Sequence, residues 1–165
     1  MPRLKSIVAV LVFLLSFLPH AALALEKGSD FPMVAGFTLE GERYPLRQLR
    51  GRPILLKVGT TWCPTCGQQT TEIGKLKNYL GESGIQYVEV FVQQQADTVN
   101  RYFDSKEHRP DVILLDQGAI ARALNIYLIP RLILIDRDFT VYRDGDPLYA
   151  EDLKKELQQM LKKDD

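Results

Sequence analysis

An α/β fold with a mixed central sheet and helices on its faces is what this sequence predicts. Three observations carry it. Ile54-Leu-Leu-Lys-Val58 is a nearly continuous apolar run, as expected of a central strand buried on both faces. It is followed by an amphipathic helical stretch and a second apolar run at Ile85 to Val92, which makes a βαβ unit. The C-terminal third then reads as two short strands and a helix, which adds an antiparallel edge.

Taken in order, Leu25 to Ala35 reads as an extended entry segment. Phe37 to Leu39 and Arg43-Tyr44 form a hairpin around Glu40-Gly41-Glu42, and Leu46 to Leu49 one helical turn that Gly51-Arg52-Pro53 breaks. The strand at 54–58 runs into Trp62-Cys63, and one helix is expected from Pro64 to about Leu80, with Ile73, Leu76 and Leu80 on one face. After the strand at 85–92, Asp97 is expected to cap a helix reaching Lys106, with Val99, Tyr102 and Phe103 at helical spacing. Val112 to Leu115 is a third strand, and Asp116 caps a helix to Leu124. Leu132 to Ile135 and Phe139 to Tyr142 pair as a hairpin, and Ala150 to Lys162 closes the chain with Leu153, Leu157, Met160 and Leu161 on one face.

The 165 residues suit one domain with a proper core. Apolar content of 45% and charged content of 25% are ordinary for a globular protein, and with a net charge of +0 nothing argues for a nucleic-acid partner, so none is expected. The first 24 residues stand apart. Arg3 and Lys5 precede an apolar stretch, Ile7 to Leu18, and Ala22-Leu23-Ala24 is a small-x-small cleavage signal. Residues 1–24 therefore read as a secretory signal peptide and 25–165 as the domain. The alternative is an uncleaved anchor, since Ile7 to Leu25 is long enough to span a bilayer, though Pro19 and His20 interrupt it. Cleavage would remove Arg3 and Lys5 from the 21 basic residues and none of the 21 acidic ones, for a net charge of −2. Disulfides persist outside the cytosol, so export bears on the chemistry.

That chemistry centres on Trp62-Cys63-Pro64-Thr65-Cys66, which holds both cysteines of the chain. A closed zinc site needs about four N or S ligands, and His108 is the one histidine beyond the first twenty residues. Haem attachment needs a histidine straight after the second cysteine, where Gly67 stands. A redox pair remains. Pro64 suits the first position of a helix, which places Cys63 at the N-terminus, where orphan N–H groups and the macrodipole favour a thiolate. Such positions lower a cysteine pKa from about 8.5 to roughly 3.5–7.5. Cys63 is then the nucleophile and Cys66, one turn on, the resolving thiol; an inert structural disulfide is the alternative. No cofactor beyond the Cys63–Cys66 pair and no metal is expected.

This element order, with Cys-Pro-Thr-Cys and a distant Ile129-Pro130 before a strand, resembles the thioredoxin superfamily. More narrowly, it resembles the exported TlpA/ResA/CcmG (DsbE) group of thiol-disulfide oxidoreductases. Leu46-Arg-Gln-Leu-Arg-Gly-Arg-Pro53, the inserted strand and helix at 112–124, and Leu134-Ile135-Asp136 are similar to family features. The resemblance implies a three-layer thioredoxin-like sandwich with an N-terminal hairpin and an inserted strand-helix, acting on protein thiols and disulfides. It implies that Pro130 follows a cis peptide against the disulfide; a trans proline opening an edge strand is the alternative. Trp62, Pro64, Thr65, Ile129 and Pro130 would meet the substrate. Electrons would come from a membrane thiol carrier of the DsbD/CcdA kind, for instance to keep apocytochrome cysteines reduced, and a monomer is expected.

Three positions depart from the family's pattern. Gln69 stands where many members place an acid three residues after the second cysteine, and Lys57 where thioredoxin buries an Asp. Arg131 replaces the usual Thr after the proline. Each could modulate the thiol pKa. The blander expectations are that Lys57 snorkels to the strand end with its ammonium in water, that Arg131 is an exposed strand-end residue, and that His108 is a solvated loop residue. The Gly-x-Pro-Glu run of the CcmG branch is replaced by Leu128-Ile-Pro-Arg131.

Overall fold

The computed structural model describes residues 24–163. The expected leader, apart from Ala24, lies outside the described residues. Seven strands form one sheet: β1 (Ala35–Phe37), β2 (Arg43–Pro45), β3 (Ile54–Gly59), β4 (Gln86–Val92), β5 (Val112–Asp116), β6 (Arg131–Ile135) and β7 (Val141–Gly145). The helices are α1 (Pro64–Gly74), α2 (Lys77–Glu82), α3 (Ala96–Asp104), α4 (Ala119–Ala123) and α5 (Ala150–Lys163), with a 3-10 turn at Leu46–Leu49.

The spatial order is β2-β1-β5-β4-β3-β6-β7. Strands β3, β4 and β5 run parallel, and every other pairing is antiparallel. The apolar run at 54–58 thus sits between β4 and β6, and all six residues of β3 are buried. Alternation along the strands splits the core. Leu56, Val58, Val88, Val90, Ile133 and Ile135 face one side, with Ile120 of α4. Leu55, Tyr87, Leu132 and Leu134 face the other, against Ile73 of α1 and Leu153 and Leu157 of α5. Phe91 packs with Val99 and Phe103 of α3 as a third cluster. This is the expected thioredoxin-like mixed sheet, with its hairpin, inserted strand-helix and flanking helices.

Four local expectations are corrected. The helix expected from Pro64 to Leu80 is two helices, because the chain tightens after Gly74: the Leu76 N–H bonds back to Ile73 at 2.9 Å and Leu76 leaves helical geometry with ψ 6°. Ile73, Leu76 and Leu80 stay buried across the break. Asp97 does not cap α3; Gln95 holds the cap position, and Asp97 lies in the first turn, where its charge suits the helix dipole. The α4 cap position is Gly118, at φ +98°, yet Asp116 still caps from two residues upstream by accepting from the Ile120 and Ala121 N–H groups at 2.9 Å. Strand β7 starts two residues later than expected because Asp136 holds Thr140 in a turn and Phe139 takes φ +69°. The entry segment is tied down along β7: Gly28 N–H bonds Val141, and Val141 N–H bonds Ser29.

Candidate active site

Strand β3 ends in Gly59, and the chain then turns through Thr60 and Thr61 to Trp62 and the cysteines. Gly59 is there for contact. A Cβ on it would meet Cys66 Sγ at 3.0 Å and Lys57 Cε at 3.9 Å, so sulfur and lysine stem converge on one bare stretch of backbone. Thr61 is held by Gln94, whose Oε1 accepts from its N–H at 3.0 Å.

Cys63 is the N-cap of α1, with Pro64 in the first turn as expected. Its Sγ accepts from the Cys66 N–H at 3.2 Å and lies 3.2 Å from Thr65 Oγ1. Such contacts, with the helix dipole, favour sulfur carrying negative charge. Cys63 and Cys66 are joined as a disulfide with Cα atoms 5.2 Å apart. Cys63 is 8% exposed and Cys66 0%, so only Cys63 offers any surface to an incoming reactant.

The Ile129–Pro130 peptide is cis. The β3–β6 ladder ends at Val58↔Arg131, so Pro130 is level with Gly59 and the backbone of Ile129 lies beyond the ladder. Pro130 is buried and Ile129 half-buried. Trp62 is 71% exposed and does not pack in the core. Tyr127 and Leu128, at 76% and 78%, were not singled out in the sequence, although aromatic-apolar residues before a loop proline are the signal that could have found them. Trp62, Tyr127 and Ile129 line a cavity of about 330 Å³. On the other flank, Thr65, Gln69, Leu148 and Tyr149 line one of about 190 Å³.

Lys57 does not snorkel. Its side chain is 0% exposed, and its ammonium is paired with the carboxylate of Glu89, also 0% exposed, the residue directly across in the β3–β4 register. Lys57 Nζ also donates to Thr70 Oγ1 at 2.7 Å, and that hydroxyl donates to the Cys66 carbonyl at 3.1 Å. Tyr87 donates to the second oxygen of Glu89, and Tyr102 to Thr70 at 3.2 Å. A buried polar network therefore runs from Tyr87 to the backbone of Cys66. Burial lowers the Lys57 pKa, and the Glu89 charge works against that. Burial beside Glu89 pushes the Tyr87 hydroxyl well up, so it stays a donor.

Gln69 is buried and both ends of its amide are engaged on Leu148: Nε2 donates to the carbonyl at 3.1 Å and Oε1 accepts from the N–H at 2.9 Å. Arg131 is a correction. Its guanidinium forks onto the fully buried Asp144, Nε to Oδ1 at 2.5 Å and Nη2 to Oδ2 at 2.9 Å, and its side chain is 16% exposed. That pairing raises its pKa and uses its charge locally. His108 is the other correction. It stacks on Tyr87 with centroids 5.8 Å apart, and its buried Nε2 has no hydrogen-bond partner. Burial, then Lys77, lowers its pKa from the ordinary 6.5. The unfolded chain therefore binds the proton more readily, so stability declines as pH falls below about 6.5. His108→Phe keeps the stacking and removes the orphan nitrogen. Its urea-melt stability is expected to fall less steeply than wild type's below that pH, with a gain of about 1 kcal/mol at neutrality. Parallel acid limbs would refute the assignment.

Among the described residues no cluster of His, Cys, Asp or Glu could hold a metal, and no helix is long and apolar enough to cross a membrane. The comparisons agree with the geometry. The Redoxin family profile matches residues 26–147. The thiol-disulfide oxidoreductase ResA of Bacillus thuringiensis subsp. konkukian is 23% identical over 139 residues, 84% of this chain and 79% of that protein. The thiol:disulfide interchange protein DsbE of Tatumella citrea is 29% identical over 126 residues, 74% of this chain and 66% of that one. A crystal structure of a thioredoxin-family thiol:disulfide interchange protein from Chlorobium tepidum TLS superposes with a TM-score of 0.70 at 21% identity. It covers 84% of this chain and 99% of its own.

Proposed function

The chain belongs to the Redoxin family, as a protein-disulfide oxidoreductase of thioredoxin-like fold, and from that premise we propose that it reduces protein disulfides outside the cytoplasm. The observation that carries the reading is the Cys63–Cys66 pair at the α1 N-terminus, with Cys63 at the cap and Cys66 sealed behind it. In the reduced protein, the Cys63 thiolate attacks one sulfur of a substrate disulfide. A mixed disulfide forms and one substrate thiolate leaves. The Cys66 thiolate then attacks Cys63 Sγ, expelling the second substrate thiolate and regenerating the internal disulfide. Two electrons pass to the substrate and no resident cofactor takes part.

The substrate lies across Trp62, Pro64, Thr65, Ile129 and Pro130, and the Ile129 backbone pairs with an extended segment as an added strand. Lys57 and Glu89 set the charge beneath Cys66. Residues 1–24 direct export and are removed, and the domain acts as a monomer. A membrane thiol carrier of the DsbD/CcdA kind returns the electrons, and apocytochrome thiols are one substrate class that this group's chemistry fits.

The test is twofold. The reduced protein should accelerate insulin reduction by dithiothreitol; intact thiols with no acceleration would make the fold a binding module instead. The midpoint potential of the pair, followed by Trp62 fluorescence, fixes the direction. A value near −270 mV fits a reductase with an upstream donor, whereas one near −120 mV makes the protein a disulfide donor.

A further inference from the structure

Asp144 is a carboxylate with no exposed surface, and it accepts three hydrogen bonds. Two come from Arg131. The third, at 2.6 Å, comes from the backbone nitrogen of Leu25, 119 residues away. The entry segment reaches that place by running antiparallel along β7, with Asp30 opposite Thr140 and Gly28 bonded to Val141. The Leu25 side chain turns inward onto the core cluster while Ala24 stays exposed. The peptide bond between Ala24 and Leu25 is also the one that follows Ala22-Leu23-Ala24, the small-x-small signal.

From this coincidence we propose that Asp144 is the receptor for the new N-terminus made by cleavage between Ala24 and Leu25. This rests on the export reading above. Hydrolysis by a leader peptidase consumes one water and leaves an Ala24 carboxylate and a Leu25 α-ammonium. That ammonium is born 2.6 Å from a buried carboxylate, so an amide contact becomes a charge-assisted one. The finished cluster is Leu25 ammonium, Asp144 and Arg131, and Arg131 is the residue directly after Pro130. Processing thus ties the turn at the start of the mature chain to β6, the strand that follows the proline of the active site. The other charged neighbours are Asp146, which acts on Arg131, and Arg143, whose guanidinium is held by the carbonyls of Leu132 and Asp146. A chain cut one residue earlier would keep an amide at Leu25 and leave its charge outside the pocket.

The experiment expresses the full chain with its own N-terminal segment in a bacterium and recovers the processed protein from outside the cytoplasm. Intact mass locates the cut. A second form carries one Gly inserted between Ala24 and Leu25, and each form is also made with Asp144→Asn. A start at Leu25 is expected, with the unfolding constant raised about tenfold by the extra Gly when Asp144 is present and unchanged by it when Asn is present. Should the Asn forms not fold, acylation of the Leu25 amine in the processed protein at neutral pH replaces the cycle. It should be about tenfold slower folded than in urea, one pK unit of protection. A start at any residue other than Leu25, a Gly effect that persists without Asp144, or an amine acylated equally fast folded and unfolded would each overturn the proposal. Insulin reduction, read on the same samples, tests the oxidoreductase reading separately.

Discussion

Methionine in place of Lys57 is expected to cost about 3–5 kcal/mol of folding stability, a large share of the 5–15 kcal/mol that a domain possesses. Both partners of the Lys57–Glu89 pair have no exposed side-chain surface, so removing the ammonium leaves a carboxylate sealed in the core with no cation. The pair itself need not be a net stabiliser. Desolvating two ions costs several kcal/mol each, and their attraction only repays that. The diagnostic is therefore the double variant. Lys57→Met with Glu89→Gln removes both charges and keeps an acceptor for the Tyr87 hydroxyl, and it is expected to recover most of the loss. Urea midpoints and m-values at one pH give all four corners of the cycle. A Lys57→Met cost below 1 kcal/mol would mean that water reaches the pair. The same variants bear on chemistry. Lys57 reaches the Cys66 carbonyl through Thr70 and shares the bare backbone of Gly59 with the Cys66 sulfur. A lowered Lys57 pKa suits an ammonium able to give up its proton when the adjacent thiols titrate. Thiol reactivity against pH in Lys57→Met should shift; an unchanged thiol pKa would sink that role while leaving the stability result intact.

The architecture was legible because its signals are local. An apolar run bounded by Gly and Pro, two cysteines one turn apart and a proline before a strand each speak within a few residues. The proline at 130 also sits where strand register puts it level with Gly59, which no local pattern states. What stayed illegible was pairing at a distance. Lys57 reads as a strand-end lysine until the parallel register brings Glu89, 32 residues on, directly opposite. A signal did exist: each charge interrupts an apolar run, Ile54 to Val58 and Val88 to Val92, on strands that any βαβ unit makes neighbours. The two missing acids of the family pattern made the site look stripped of buried charge. Glu89 supplies an acid from the adjacent strand instead.

Arg131 and His108 were misread for a related reason. A charged or titratable residue in a short connection is solvated by default, and only tertiary contact overrides that. Asp144 reaches Arg131 across the β6–β7 hairpin, and Tyr87 lends His108 a ring to stack on. The break after Gly74 is different. Lys75 keeps helical φ and ψ and only Leu76 departs from them, so the apolar residues Ile73, Leu76 and Leu80 stay on one buried face and their periodicity hides the interruption.

Serine substitution at the two cysteines is expected to separate their roles completely. Cys63→Ser should drop insulin reduction to the background of dithiothreitol alone, because the hydroxyl that replaces the sulfur is not a nucleophile toward a disulfide at neutral pH. Cys66→Ser should still attack but not release. One substrate disulfide per chain is opened, and the mixed disulfide at Cys63 persists, visible as a single adduct in the intact mass. The asymmetry follows from burial and from the cap. Cys63 keeps a little surface and takes the Cys66 N–H and the α1 dipole, whereas Cys66 lies flat on Gly59 with none. Attack from Cys66 would require the end of β3 and the first turn of α1 to part. An adduct on Cys66 in the Cys63→Ser protein, formed as fast as the one on Cys63, would reverse the assignment. Full turnover by Cys66→Ser would remove the resolving step, leaving a one-thiol mechanism in which a second external thiol, rather than Cys66, releases the substrate from Cys63.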